Sequence, residues 1–99
     1  MKTLSEMEIT EALMAAPGWF TEDGKLVRRW EFKDFIEAMK FVNEIAEMAE
    51  NAEHHPDIDV RYNKVQLALV THDAGGITKR DASMAKRISG QFPFHVRSM

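Results

Sequence analysis

The fold depends on residues 33–52, KDFIEAMKFVNEIAEMAENA, which have the periodicity of a long α-helix. The apolar residues form two adjacent stripes at helical spacing: Phe35, Met39, Val42, Ala46 and Ala49 in the first, and Ala38, Phe41, Ile45 and Met48 in the second. One stripe is enough to pack the helix on a sheet, so the second predicts a further partner. We therefore expect a homo-oligomer through helix 33–52, which charges at Phe41 and Ile45 should disrupt. The alternative is a small domain that buries this helix deeply.

A β-hairpin is predicted on each side of this helix. Before it, Asp23-Gly24 is a strong turn signal between two short runs that contain apolar residues. After it, residues 58–62 alternate between apolar and polar, which is the period of a strand. Residues 65–72 continue as the next strand, so that His72 is expected at its end, beside a loop that contains two glycines.

Shorter helices are predicted towards both ends of the chain. Ser5 and Glu8 form a capping box before the first helix, and Thr78 and Asp81 have the same spacing before the last. The order α-β-β-α-β-β-α predicts an α+β fold, in which helices cover one face of a four-stranded antiparallel sheet. The length predicts a single domain over residues 1–99.

The composition restricts the class of protein. The chain has 13 lysine and arginine residues against 16 aspartate and glutamate residues, for a net charge of −3, so we expect no direct nucleic-acid partner. Its basic clusters are too short to change this: Arg28-Arg29, and Lys79-Arg80 with Lys86-Arg87. The chain lacks cysteine, which excludes disulfides and thiolate metal sites. Without a signal-like start or a long apolar run, we expect a cytoplasmic protein with no membrane contact.

Three of the four histidines lie within 19 positions: His54, His55 and His72. Histidine titrates near neutrality, so this cluster suggests proton transfer or metal ligation. Pro56 disfavours helix continuation and places an irregular turn beside His54 and His55. Neighbouring side chains point apart on a helix or a strand, so only such a turn lets both imidazoles face one pocket.

The residues alone leave three interpretations of this cluster open. The first is general acid–base catalysis by two imidazoles. The second is a metal site of the three histidines with Glu50 or Asp81, although the histidine spacing of a helical zinc signature is absent. The third is structural, with a surface turn and a histidine at a strand end. Glu50 then is a solvated helix residue, Asp81 a helix cap, and Tyr62 and Trp19 are core aromatics.

The wider pattern resembles the pterin-4a-carbinolamine dehydratase family. It consists of residues at fixed spacing: Glu50, His54-His55-Pro56, Tyr62, His72 and Asp81. The flanking segments also look like that family: WEFKDF at 30–35, YNKV at 62–65, LVTHD at 69–73 and ITKRD at 77–81. The resemblance spans about residues 4–90, and the tail 91–99 lies outside it.

The resemblance implies a hydro-lyase without metal or organic cofactor. Such an enzyme dehydrates 4a-hydroxytetrahydropterin (4a-hydroxytetrahydrobiopterin) to quinonoid dihydropterin, in the recycling of tetrahydrobiopterin. It implies that His54, His55 and His72 are the catalytic and substrate-binding histidines. We expect His54 and His72 to form the acid–base pair and His55 to bind and orient the pterin. Glu50 is expected to hold the tautomer of an imidazole, and Asp81 to do so for His72 or only to cap its helix. The residues implied to bind or orient the substrate are Glu50, His55, Tyr62 and Asp81.

The resemblance also implies an assembly and a rival function. Members of the family pair their sheets at strand edges into dimers and pack their long helices in tetramers. Animal members act as dimerisation cofactors of a homeodomain transcription factor through the long helix. A protein-interaction role for helix 33–52 is therefore the alternative to an enzyme.

Overall fold

The computed structural model describes residues 1–92 and confirms the predicted order of elements. The elements are α1 (Glu6–Met14), β1 (Phe20–Glu22), β2 (Lys25–Glu31), α2 (Phe35–Ala52), β3 (Asp57–Arg61), β4 (Lys64–Leu69), a 3₁₀ turn (His72–Ala74) and α3 (Lys79–Gln91). The predicted tail 91–99 lies outside the described residues after Phe92. Within residues 1–92, no helix is long and apolar enough to span a bilayer.

The four strands form one antiparallel sheet in the order β1-β2-β4-β3. The two central strands, β2 and β4, place Trp30 opposite Val65 and Leu26 opposite Leu69, and all four side chains are buried. The helices cover this face of the sheet, so the fold class is the predicted α+β arrangement. Strand β3 lies at an edge, and its first residue Asp57 pairs with Ala68 near the end of β4.

One stripe of α2 packs in the core, and the other is partly exposed. The buried stripe is the second: Ala38, Phe41, Ile45 and Met48. The placement of Phe41 and Ile45 at a subunit interface was wrong, because both are buried in the core. Phe41 packs against Trp30 with ring centroids 4.6 Å apart, and Ile45 is only 1% exposed. In the first stripe Phe35 is 46% exposed, and the neighbouring Ile36 is 66% exposed.

The local signals for turns and helix starts are confirmed. Asp23 and Gly24 both have positive φ, 53° and 76°, as a tight two-residue hairpin turn requires. Ser5 begins α1 with a complete capping box, in which its N–H donates to the Glu8 carboxylate at 2.8 Å. The hydrogen bonds from Ser5 lower the pKa of Glu8 below its ordinary value.

Strand β4 ends earlier than the alternation predicted, at Leu69 and not at His72. The cause is Thr71, which closes a small loop on itself. Its N–H donates to the Gly76 carbonyl at 3.0 Å, and its own carbonyl accepts from the Gly75 N–H at 3.0 Å. His72 therefore opens the 3₁₀ turn beyond the sheet.

Arg28 lies on the core face of β2, although its neighbours on that face are apolar. Its guanidinium donates to the Pro17 carbonyl at 3.0 Å and to the Ser89 hydroxyl at 3.3 Å, and it lies 4.5 Å from the centre of the Trp30 ring. Burial lowers the pKa of Arg28. Arg28 thus links β2, the loop after α1 and the last turn of α3.

Candidate active site

The end of α2 turns His54 inwards. Glu53 follows the helix in the left-handed conformation, with φ 54° and ψ 40°, and the His54 N–H donates back to the Ala49 carbonyl at 3.2 Å. This is a common way to end a helix, although glycine usually occupies the left-handed position. Only 9% of His54 is exposed, whereas His55 next to it points into solvent. The last residue of α2 is therefore Ala52, and the left-handed turn at Glu53 ends the helix before the chain reaches Pro56.

His54 forms a buried pair with Asp81. Its Nε2 lies 2.6 Å from Asp81 Oδ1, and the Asp81 side chain is completely buried. An ionised carboxylate only accepts hydrogen bonds, so opposite an ionised Asp81 the proton of this contact lies on Nε2, and a neutral imidazole then keeps Nδ1 as an acceptor. Asp81 thus fixes the tautomer and the orientation of His54, as a carboxylate does in many histidine-dependent sites.

The other Asp81 oxygen holds the start of α3. Asp81 Oδ2 accepts from the Thr78 backbone N–H at 2.8 Å, which completes the predicted capping box, and from the Thr71 hydroxyl at 2.8 Å. The Thr71 and Thr78 hydroxyls are themselves 2.7 Å apart. The expected capping role of Asp81 is confirmed, but the imidazole that it holds is His54 and not His72.

His55 and Glu50 form a second pair at the surface. His55 Nε2 lies 2.6 Å from Glu50 Oε2, and both side chains are largely exposed. Glu50 therefore does hold an imidazole, that of His55, from the last turn of α2. Exposed pairs of this kind add little to stability, because water competes for both partners.

His72 is exposed. It follows Thr71 directly in the chain, and Thr71 belongs to the buried hydrogen-bond network of Asp81. His55 precedes β3 by two residues and His72 follows β4 by three, and β3 begins where β4 ends. His55 and His72 therefore lie at the same end of the sheet. The Asp81 carboxylate binds His54, which is next to His55, and Thr71, which is next to His72.

Tyr62 lies elsewhere in the chain. It forms the β3–β4 turn with φ 56°, and its side chain is exposed. The length of β3, roughly 17 Å for five residues, separates this turn from the end of the sheet near the histidines. One copy of the chain therefore does not bring Tyr62 to the histidine cluster. Trp19 is a buried core residue.

A cleft of about 310 Å³ borders on His54. Arg80 and Ser83 of α3 line it, and Arg80 Nη2 donates to the Glu53 carbonyl at 2.6 Å, which holds the turn before His54. Arg80 and Thr71 were not predicted as site residues, although both lie inside the segments ITKRD and LVTHD that resemble the family. Within residues 1–92, no three or more histidine and acidic side chains are grouped so as to hold a metal ion.

Comparisons with known proteins identify relatives that match nearly the whole chain. The family model described as pterin 4 alpha carbinolamine dehydratase matches residues 2–91. A protein from Thermomicrobium roseum is 51% identical over 89 residues, which is 90% of this chain and 96% of the relative. One from Acidobacterium capsulatum is 53% identical over 88 residues, or 89% and 96% of the two chains. Both relatives are provisionally named as pterin-4-alpha-carbinolamine dehydratases.

A solved structure shares the fold. The crystal structure of a protein from Brucella melitensis, described as a transcriptional coactivator/pterin dehydratase, has a TM-score of 0.83 and 38% sequence identity. The similarity covers 90% of this chain and 97% of that chain. The match over nearly the whole chain, together with the relatives at about half identity, shows that the protein belongs to the pterin 4 alpha carbinolamine dehydratase family.

Proposed function

We propose that the protein is a hydro-lyase that dehydrates a 4a-hydroxytetrahydropterin to quinonoid dihydropterin by histidine acid–base catalysis. In a cell this reaction recycles tetrahydrobiopterin after a pterin-dependent hydroxylase has turned over. The observation that carries the proposal is the buried His54–Asp81 pair. It lies at the end of the sheet where His55 and His72 also lie, in a chain that belongs to this family.

The chemistry needs two groups that exchange protons near neutral pH. The C4a–O bond of the substrate breaks, and the leaving hydroxide must be protonated to depart as water. The N5–H proton is lost, and its electron pair forms the C4a=N5 double bond of the product. One acid and one base therefore suffice, and imidazole suits both tasks.

We assign the acid and the base to His54 and His72, and the orientation of the pterin to His55. Asp81 fixes the tautomer of His54 and leaves Nδ1 for proton exchange. His72 is exposed and free of the buried network, so it can approach the substrate from the solvent side. Glu50 holds the His55 ring in place through the contact at 2.6 Å.

The decisive experiment measures dehydration of synthetic 4a-hydroxytetrahydropterin by stopped flow. His72→Ala removes an exposed side chain, so it should leave the fold intact and lower kcat by roughly 100-fold or more. His54→Gln keeps an N–H donor for Asp81 but cannot titrate, so it should lower kcat with little change in melting temperature. His55→Ala should chiefly raise KM.

The fourth histidine provides the matched control. His95 lies beyond the residues that the family model matches, so His95→Ala should keep the wild-type rate. Wild-type protein that does not accelerate dehydration over buffer would refute the proposed enzyme. Normal activity in both His72→Ala and His54→Gln would refute the assigned acid–base pair.

A second candidate function is protein interaction through α2. Two observations favour it: Phe35 and Ile36 are exposed at the start of this helix, and the similar Brucella melitensis protein is described as a transcriptional coactivator as well as a dehydratase. The two functions use different surfaces, since neither residue lies in the histidine network. An enzymatically silent protein that still assembles through α2 would favour this second candidate.

A further inference from the structure

The cleft beside His54 is basic, although the protein as a whole is acidic. Its cationic lining residues are Lys79, Arg80 and Arg87, and no aspartate or glutamate lines it. The whole chain carries 16 acidic residues against 13 lysines and arginines. Three cations and no carboxylate therefore surround one cleft of about 310 Å³.

Helix α3 builds this cluster through its period. Arg80, Ser83 and Arg87 have the spacing i, i+3 and i+7, so they lie along one face of the helix. Lys79 adds a cation at the first turn of the same helix. These residues include the pair Lys79-Arg80 and one member, Arg87, of the pair Lys86-Arg87, and the proposed proton transfer does not use them.

Ion pairs do not neutralise these cations within the described part of the chain. None of the six ion pairs among residues 1–92 includes Lys79, Arg80 or Arg87. Arg80 donates to the Glu53 carbonyl, which is a neutral group. The pKa of Glu8 is lowered chiefly by the hydrogen bonds from Ser5, and the charge of Lys79 contributes least. Like charges grouped in this way repel one another until an anion binds.

We propose that this cleft binds an anionic group on the substrate, so that the preferred pterin carries a carboxylate or a phosphate on its side chain. The inference rests on the proposed function and narrows its substrate class. His54 borders on the cleft, so a side chain held there lies next to the buried His54–Asp81 pair. Arginine and lysine side chains bind carboxylates and phosphates through charge-assisted hydrogen bonds.

The test compares ligands that share the pterin ring and differ in charge. Fluorescence titration gives the Kd of pterin-6-carboxylate, of 6-hydroxymethylpterin and of the monophosphate ester of 6-hydroxymethylpterin. The wild-type protein should bind an anionic pterin about tenfold more tightly than the neutral one at low salt. This preference should shrink in 1 M NaCl, where the Debye length falls to about 3 Å. The two anionic ligands distinguish a carboxylate site from a phosphate site.

Variants assign the preference to the cleft. Arg87→Gln and Lys79→Gln should each reduce the preference for the anionic pterin about threefold and leave the Kd of 6-hydroxymethylpterin unchanged. Lys86→Gln is the matched control, because Lys86 is an exposed neighbour on α3 that does not line the cleft. Inorganic phosphate should compete with the anionic pterins and not with the neutral one.

Several outcomes would overturn the inference. Equal Kd values for anionic and neutral pterins in the wild type would do so, as would an equal loss of both affinities in Arg87→Gln. Displacement of all pterins alike by inorganic phosphate would also contradict a separate anion subsite. Dehydration of neutral and anionic substrates at the same kcat/KM would overturn this inference alone, whereas failure to dehydrate either would overturn the proposed function.

Discussion

At the scale of single residues, Asp81 connects the fold to the site. One oxygen holds His54 at 2.6 Å, and the other accepts from the Thr78 N–H and the Thr71 hydroxyl. A completely buried carboxylate is costly unless it is paired and hydrogen-bonded, and these three donors meet that need. Asp81 thus holds His54 directly and also binds Thr71, the residue before His72.

We expect Asp81→Asn to damage stability and activity together. The amide keeps the shape of the carboxylate but replaces one acceptor oxygen with an NH2 donor. Towards Thr78 this donor faces a backbone N–H that cannot accept, and towards His54 it is accepted only if the imidazole proton moves to Nδ1, so a buried hydrogen bond is lost or reversed. The free energy of unfolding should fall by about 2–3 kcal/mol, measured by urea denaturation. The rate of dehydration should fall as well, and side-chain ¹⁵N spectra should show that His54 no longer populates only the Nε2–H tautomer.

Asp59→Asn is the control for Asp81→Asn. Asp59 pairs with Arg61 at 3.1 Å on the exposed edge strand, where such a pair adds roughly 0–1 kcal/mol. This variant should keep the wild-type rate and nearly all of the stability. Equal losses in Asp81→Asn and Asp59→Asn would show that burial and the three donors of Asp81 have no special role.

At the scale of elements, the end of α2 determines where the histidines go. Glu53 adopts a left-handed conformation, in which the Cβ of an L-residue is crowded by its own backbone. This turn lets the chain pass from the helix to β3 with His54 inside and His55 outside. The strain at Glu53 is thus part of the local structure that separates the two imidazoles.

Glu53→Gly should stabilise the protein without changing its activity. Glycine relieves the left-handed strain and keeps the backbone carbonyl that accepts from Arg80, while part of the gain is offset by the more flexible unfolded chain. We expect a gain of roughly 0.5–1 kcal/mol, seen as a higher melting temperature in calorimetry.

The matched control makes the same change inside the helix. Glu47 is exposed in the middle of α2, so Glu47→Gly should cost about 1 kcal/mol through the poor helix propensity of glycine. A loss of stability in Glu53→Gly similar to that of Glu47→Gly would contradict the role given to the left-handed turn.

Local patterns predicted the elements well, whereas contacts between elements lay beyond them. The capping boxes at Ser5 and Thr78 and the Asp23-Gly24 turn depend on neighbours within three residues, so the sequence reveals them. The partner of Asp81 depends on how α3 packs beside the end of α2, 27 positions away in the chain. Its pairing with His54 instead of His72 is therefore a tertiary fact that spacing does not contain.

The same reason explains which stripe of α2 is buried. Both stripes have helical spacing, so periodicity alone cannot tell which one faces the sheet. Packing against Trp30 and Phe32 selects the stripe that contains Phe41. The buried guanidinium of Arg28 is likewise set by acceptors far along the chain, Pro17 and Ser89.

At the scale of the whole molecule, two surfaces suit assembly. The start of α2 exposes Phe35 and Ile36, and exposed apolar patches commonly mark interfaces. Strand β3 lies at an edge of the sheet, where a second copy could extend the ladder. We therefore still propose an oligomer. Its contacts on α2 would involve the exposed side of the helix and not the buried Phe41 and Ile45.

We expect the double variant Phe35→Glu/Ile36→Glu to lower the mass of the particle in solution. Charges on the exposed side of α2 disfavour a buried helix interface but leave the core stripe intact, so the monomer should stay folded. Light scattering after size-exclusion chromatography gives the mass, and circular dichroism checks the fold.

Asn43→Glu is the matched control, since Asn43 is an exposed polar residue of the same helix. It should keep the wild-type mass. An oligomer that survives both changes would show that α2 does not hold the assembly, and would leave the edge strand β3 as the surface to test.

The carboxylate shared by the α3 cap and the His54 imidazole has a consequence for how the protein can evolve. Selection for a stable last helix alone would preserve Asp81, even in a descendant that had lost its substrate. The His54–Asp81 pair could therefore persist after the enzymatic activity has been lost. A family member that has become only a binding protein would then still contain what looks like part of a catalytic centre. Exposed His55 and His72 have no such structural protection, so their loss is the earlier mark of a lineage that has given up catalysis.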